Sequence, residues 1–110
     1  MLGIVHRAAI KLDALRGETL SIGEGVETAM AARQLGFAPA WALGSVGAIS
    51  FFPVIDGVAC LTVLGETGEA SARAIRFCGK RWRRAGRRVR VAMPKVGDMN
   101  DVLIAERAAQ

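Results

Sequence analysis

Three loops of this sequence carry acids in pairs. Glu24 lies between Gly23 and Gly25, with Glu27 a turn later; Glu66 lies in Gly65-Glu66-Thr67-Gly68, with Glu69 close by; Asp98 and Asp101 share the segment Gly97-Asp98-Met99-Asn100-Asp101. Carboxylates that converge repel one another and raise each other's pKa unless a cation sits among them. A set with no His or Cys in it suits a hard ion, Mg²⁺ or Mn²⁺, which takes oxygen ligands and keeps several waters. Such ions act on phosphoryl oxygens. The plainer reading is helix capping, because Glu27, Glu69 and Asp98 fall where helices would start and the macrodipole favours an acid there. Glu69 reads first as such a cap. Glu24 precedes its helix and reads first as functional.

Opposite in sign is the stretch from Arg73 to Arg90, with nine basic residues and no acid: Arg73, Arg76, Lys80, Arg81, Arg83, Arg84, Arg87, Arg88 and Arg90. The chain as a whole carries +5, so the remainder, with six basic and ten acidic residues, is net −4. One basic segment in an otherwise acidic chain suggests a polyanion partner, against the alternative of arginines that only solvate a helix.

Other chemistries find little support. Gly65-Glu66-Thr67-Gly68-Glu69-Ala70-Ser71 has the glycines and serine of a phosphate loop but no lysine. Gly23-Glu24-Gly25 is too short for a dinucleotide fingerprint. Ser45 lies in a Gly-rich turn, but the single histidine, His6, is in an N-terminal segment, which leaves a hydrolase triad without its base. Cys60 and Cys78 are far apart and fall on apolar faces, so neither zinc nor a disulfide organises the chain, and a reducing cytoplasm suits them. Trp41 and Trp82 read as core rather than as a base-stacking platform. No apolar run is long enough to span a membrane, and the N-terminus lacks the order of a secretory signal.

The elements that must position these residues follow from the apolar pattern. The chain has 110 residues, 52% of them hydrophobic, enough for one packed domain. Strands are expected near 19–23, 39–43, 58–64 and 88–93, the third a continuous apolar run of the kind buried on both faces of a parallel sheet. Residues 4–12 offer an extra edge strand or hairpin. A helix from Val26, with Val26, Ala29 and Met30 on one side, stops at Gly36. Ala48 to Phe52 is read as a helical turn. The helix from Glu69 to Ala85 puts Ser71, Ala74, Ile75, Cys78 and Trp82 on one stripe, which leaves Arg73, Arg76, Lys80, Arg83 and Arg84 on the opposite face. The segment after Pro94 is read as a turn and a last short helix holding Val102, Leu103 and Ala105. Strand–helix–strand repetition means a parallel α/β sheet, whose ligands bind beyond the carboxyl ends of the strands. Each acid pair follows one of those strands.

Leu20-Ser21-Ile22-Gly23-Glu24-Gly25-Val26-Glu27-Thr28-Ala29 resembles the first motif of Toprim domains, the metal-binding module of bacterial primases, topoisomerases and certain nucleases. Its Glu-Gly-x-Glu-Thr-Ala form is similar to the branch in primase–helicase-like proteins of phages, plasmids and other mobile elements. Trp41-Ala42-Leu43-Gly44-Ser45-Val46-Gly47 and Gly97-Asp98-Met99-Asn100-Asp101 resemble that branch's second and closing segments, in the same order. The resemblance implies a Toprim-like α/β fold over residues 18–104, a four-stranded parallel sheet between helices with its first and third strands adjacent, preceded by an extension over 1–17 and followed by a helix end over 105–110. It implies Glu24 as general acid/base or metal-facing carboxylate, Glu66 with Asp98 or Asp101 as holders of a weakly bound Mg²⁺ or Mn²⁺, and DNA as partner, met by Arg73, Arg76, Lys80, Arg83 and Arg84. The family's second motif is Asp-x-Asp after the third strand; here it is Glu66-Thr67-Gly68, in which Gly68 supplies no ligand. Two readings follow: a primase-like nucleotidyl-transfer or phosphodiester domain of a replication or mobile-element protein, or a degenerate module that binds nucleic acid or a partner domain without chemistry. The zinc-binding and template domains of the resembling primases are absent from the sequence, so further domains of a longer parent are expected partners. A receiver-like domain phosphorylated on aspartate after the third strand is disfavoured, because Glu66 occupies that place.

Overall fold

The computed structural model describes residues 10–11, 13–15, 17–95 and 98–107, from residue 94 onward as backbone. The described strands are β1 (Ile10–Lys11), β2 (Thr19–Gly23), β3 (Ala40–Ala42), β4 (Cys60–Leu64), β5 (Arg88–Lys95) and β6 (Asp98–Arg107); the helices are α1 (Val26–Gln34), α2 (Val46–Ser50) and α3 (Glu69–Arg84). They build one sheet in the order β1-β3-β2-β4-β5-β6. The four inner strands run parallel, and β1 and β6 close the two edges antiparallel.

Parallel neighbours require crossovers, and the crossovers cover both faces. Leu20, Ile22, Trp41, Leu61, Val63 and Val89 point to the side of α2 and α3, where Ile49, Phe52, Ala74, Cys78 and Trp82 meet them. The alternate residues face α1: Ala40 and Ala42 against Ala29, and Leu64 and Ala92 against Ala32. Covered on both faces and flanked by strands on both sides, β4 is buried at all five positions. Its continuous apolar run is the signature of that place. Phe52 stacks on Trp82 with ring centroids 6.0 Å apart and meets Trp41 edge-on at 6.3 Å. Cys60 and Cys78 are buried free thiols.

The stripe expected on α3 is the one that packs, with Ser71, Ala74, Cys78 and Trp82 buried and Ile75 partly so. Gly86 ends the helix at φ +82°, and the Arg87 N–H returns to the Trp82 carbonyl at 3.0 Å.

Two expectations are corrected. On α1, Ala29 is buried as expected, but Val26 and Met30 are exposed and Ala32 is buried in their place. Ala29 packs on Ala40 and Ala42 of β3, where all three side chains are methyl groups and a larger one would not fit, and Ala32 packs on Leu64 and Ala92. Residues 98–107 form β6 rather than a turn and a helix, so the helix end expected over 105–110 gives way to strand as far as Arg107. Val102-Leu103-Ile104 pairs with Pro94-Met93-Ala92 along the outer side of β5. An unpaired β5 would leave a row of open backbone groups, and that run supplies their partners. The pairing shifts register at Pro94/Lys95, where the proline has no N–H to donate. Of the N-terminal strand expected over 4–12, the described part is β1; His6 and Gly97 lie outside the described residues.

Candidate functional site

β2 sends its chain through α1 to β3 on one side, and β3 returns through α2 to β4 on the other. The carboxyl ends of β2 and β4 are therefore the switch point of the sheet, where open α/β folds hold their ligands. The register Ile22↔Val63 brings the loop that starts at Glu24 beside the loop that starts at Gly65. A side-chain bond closes the gap: the Thr28 hydroxyl, in the first turn of α1, lies 3.0 Å from Glu66 Oε2 and donates to it. The Glu66 N–H donates in turn to Ser71 Oγ at 3.2 Å. On the far side of β2, the Gly44 N–H donates to the Glu24 carbonyl at 2.8 Å, which draws the Gly44-Ser45 turn to the same edge. Ser45 Oγ accepts from the Ala48 N–H at 3.0 Å, so this serine caps α2.

Glu24 is half-buried and Glu66 is exposed. With Thr28 they give an all-oxygen donor set at one edge, which fits a hard cation that keeps most of its waters. Among the described residues no three of His, Cys, Asp and Glu are gathered as a metal cage. The β6 backbone begins at Asp98, paired with Lys95 at the end of β5, and so enters the sheet at this same edge. The carboxylates of Asp98 and Asp101 lie outside the described atoms. Glu27 is exposed in the first turn of α1, and Glu69 is exposed in the first turn of α3, as helix-start acids are.

Gly68 aligns, by the resemblance of the sequence, with the second acid of an Asp-x-Asp motif. It is the N-cap of α3 at φ +112°, a conformation that residues with a Cβ rarely adopt. Gly65 is held by contact rather than by φ, since a Cβ there would overlap Met93 Sδ. Both glycines shape the loop that carries Glu66.

Seven of the nine cations of the basic segment, those other than Arg88 and Arg90 on β5, divide in two. Arg81 turns inward, donating to the Phe52 carbonyl at 2.7 Å and to the Ser50 carbonyl, and Arg87 donates to the Val58 carbonyl at 2.6 Å and to the Ile55 carbonyl at 3.1 Å. These two bind the chain between α2 and β4. Arg73, Arg76, Lys80 and Arg84 are exposed and Arg83 is half-buried, and none of the five is ion-paired among the described residues. Phe77 stands among them on α3, 58% exposed.

The sequence gives no role to Thr28 or Phe77, makes Ser71 only a member of the packing stripe and leaves Arg81 one of nine cations. Thr28 had a readable signal, one helical turn from Glu24 in the first turn of α1. Arg81 had none, because its carbonyl partners are 29 and 31 residues away.

The Toprim domain family model matches residues 19–109. A DNA primase domain from Pseudomonas aeruginosa is similar in structure, at 21% sequence identity and a TM-score of 0.48, over 74% of this chain. The chain spans 27% of that protein's length. No curated protein matches the sequence significantly. No described helix is long and apolar enough to cross a membrane. With the family match running from β2 through β6 and the acidic loops meeting at the switch point of the sheet, this chain belongs to the Toprim domain family.

Proposed function

We propose that this Toprim domain serves a primase-like protein of DNA replication or of a mobile element, in Mg²⁺-dependent nucleotidyl transfer or phosphodiester chemistry. The observation that carries the reading is the meeting of the Glu24 and Glu66 loops at the switch point, tied by the Thr28–Glu66 hydrogen bond. Glu66, together with Asp98 or Asp101, would hold the ion. When bound, it polarises phosphoryl oxygens and neutralises charge that develops on them. Glu24, half-buried just beyond the end of β2, would face the ion or take and return a proton on the attacking or leaving oxygen. Arg73, Arg76, Lys80, Arg83 and Arg84 would hold the nucleic-acid backbone. Further domains of a longer parent would supply template and nucleotide contacts.

A second reading has its own observation. Gly68 both lacks the family's second carboxylate and sits where the backbone disfavours one, which supports a module that binds nucleic acid or a partner domain without chemistry.

Titration with Mn²⁺, followed by NMR line broadening, tests the first reading. Broadening should centre on Glu24, Glu66 and the start of β6, and should disappear in Glu24→Gln/Glu66→Gln. Broadening spread evenly over the surface acids would leave the binding-module reading.

A further inference from the structure

Phe77 is the anomaly of α3. A helix of such strong polarity has no need of an exposed phenylalanine, since its apolar stripe is complete without it. Helical spacing places Arg73 at i−4, Lys80 at i+3 and Arg84 at i+7 beside the ring, and all three are exposed. Among the described residues, Phe77 also lines a groove of about 360 Å³ in which Arg76 and Lys80 stand beside the apolar Ile75, Val89 and Val91 of the α3–β5 junction. The surface thus joins an aromatic face, an apolar floor and a row of cations with no acid between Ala70 and Lys95.

Each candidate occupant needs a different part of that surface. A duplex would meet the cations and leave the ring idle, because its bases are stacked on one another. An acidic peptide would use the charge, but nothing in it needs the flat face. A single strand needs both, since it offers phosphates to the cations and unstacked bases to the ring. We infer that α3 carries a single-strand nucleic-acid site, in which a base stacks on Phe77 while Arg73, Arg76, Lys80 and Arg84 hold the flanking phosphates. This rests on the proposed contact between the basic face and nucleic acid, and it adds the strand state and the residue that selects it. Sequence preference is slight, because a stacked base is read by its face and not by its edge.

The experiment is fluorescence anisotropy on the full 110-residue chain, with labelled oligothymidylate as the single strand and its duplex with oligoadenylate as the comparison, over a range of salt. The wild type should favour the single strand. Phe77→Ala should weaken single-strand binding by roughly tenfold, leave duplex binding unchanged and keep the salt slope, while Phe77→Tyr restores the preference. Arg73→Ala/Lys80→Ala should weaken both forms and reduce the slope by roughly 0.7 to 0.9 for each phosphate left without its cation. Phe77 is exposed, so its variants are expected to fold, which a circular-dichroism melt checks. Equal effects of Phe77→Ala on single strand and duplex, or none on either, would overturn the stacking site while the basic-face reading stands. A wild type that binds neither would overturn both.

Discussion

The Thr28 hydroxyl and the Glu66 carboxylate meet at 3.0 Å although 38 residues separate them in the chain. That bond fastens the first turn of α1 to the loop after β4, and it sets one of the two acids of the switch point. Because the pair is exposed, Thr28→Val should change unfolding free energy by no more than about 1 kcal/mol. It should instead weaken Mn²⁺ binding several-fold, read by titration, with shifts centred on Glu66. Thr28→Ser, which keeps the donor, should restore the affinity.

Gly68→Asp should move two properties in opposite directions. The new carboxylate adds an acid two residues from Glu66 in the proposed site, so Mn²⁺ affinity should rise. The same residue would sit at φ +112°, which costs on the order of 1–3 kcal/mol. Calorimetric titration beside urea denaturation checks both. A stable variant with unchanged metal affinity would count against the metal site.

Two neighbouring cations on α3 should behave differently when the same charge is removed. Arg81 satisfies the carbonyls of Ser50 and Phe52, so Arg81→Ala should cost about 2 kcal/mol. Lys80 is exposed and unpaired among the described residues, so Lys80→Ala should stay within about 0.5 kcal/mol of wild type. Arg81→Lys should recover little, because a single ammonium does not reproduce the guanidinium fork. Urea denaturation of the three variants decides this.

Burial pushes the Cys78 thiol up from 9.0 to about 11, partly offset by the nearby Arg81 guanidinium. The folded state therefore holds this proton more tightly than the unfolded chain does. Its contribution to stability is complete below about pH 9 and is lost as pH rises toward 11, with a slope approaching about 1.4 kcal/mol per pH unit. The chain contains no tyrosine, so no phenol titrates in that window. Cys78→Ala should flatten the curve between pH 9 and 11, as measured by chemical denaturation at fixed ionic strength.

Features that depend on a local period were legible in the chain alone. The continuous apolar run of β4, the stripe from Ser71 to Trp82 on α3 and the glycine stops at Gly36 and Gly86 are each set by residues within a few turns of one another. Parallel strands joined by helices then have to present their following loops at one edge, so the nearness of the Glu24 and Glu66 loops was legible too. Features that depend on distant partners were settled only by the fold. Val26 and Met30 share a side of α1 with Ala29, yet only Ala29 of the three is buried, with Ala32, because Ala29 meets the alanines of β3 and the separation of the backbones sets the size that fits. Val102-Leu103-Ile104 could have been one side of a helix, but the open edge of β5 takes it as strand. Arg81 and Arg87 share their composition with the exposed cations around them, and only the carbonyls between Ser50 and Val58 turn these two inward. Period is a property of a segment, whereas backbone approach, edge pairing and unsatisfied carbonyls are properties of what the fold sets against it.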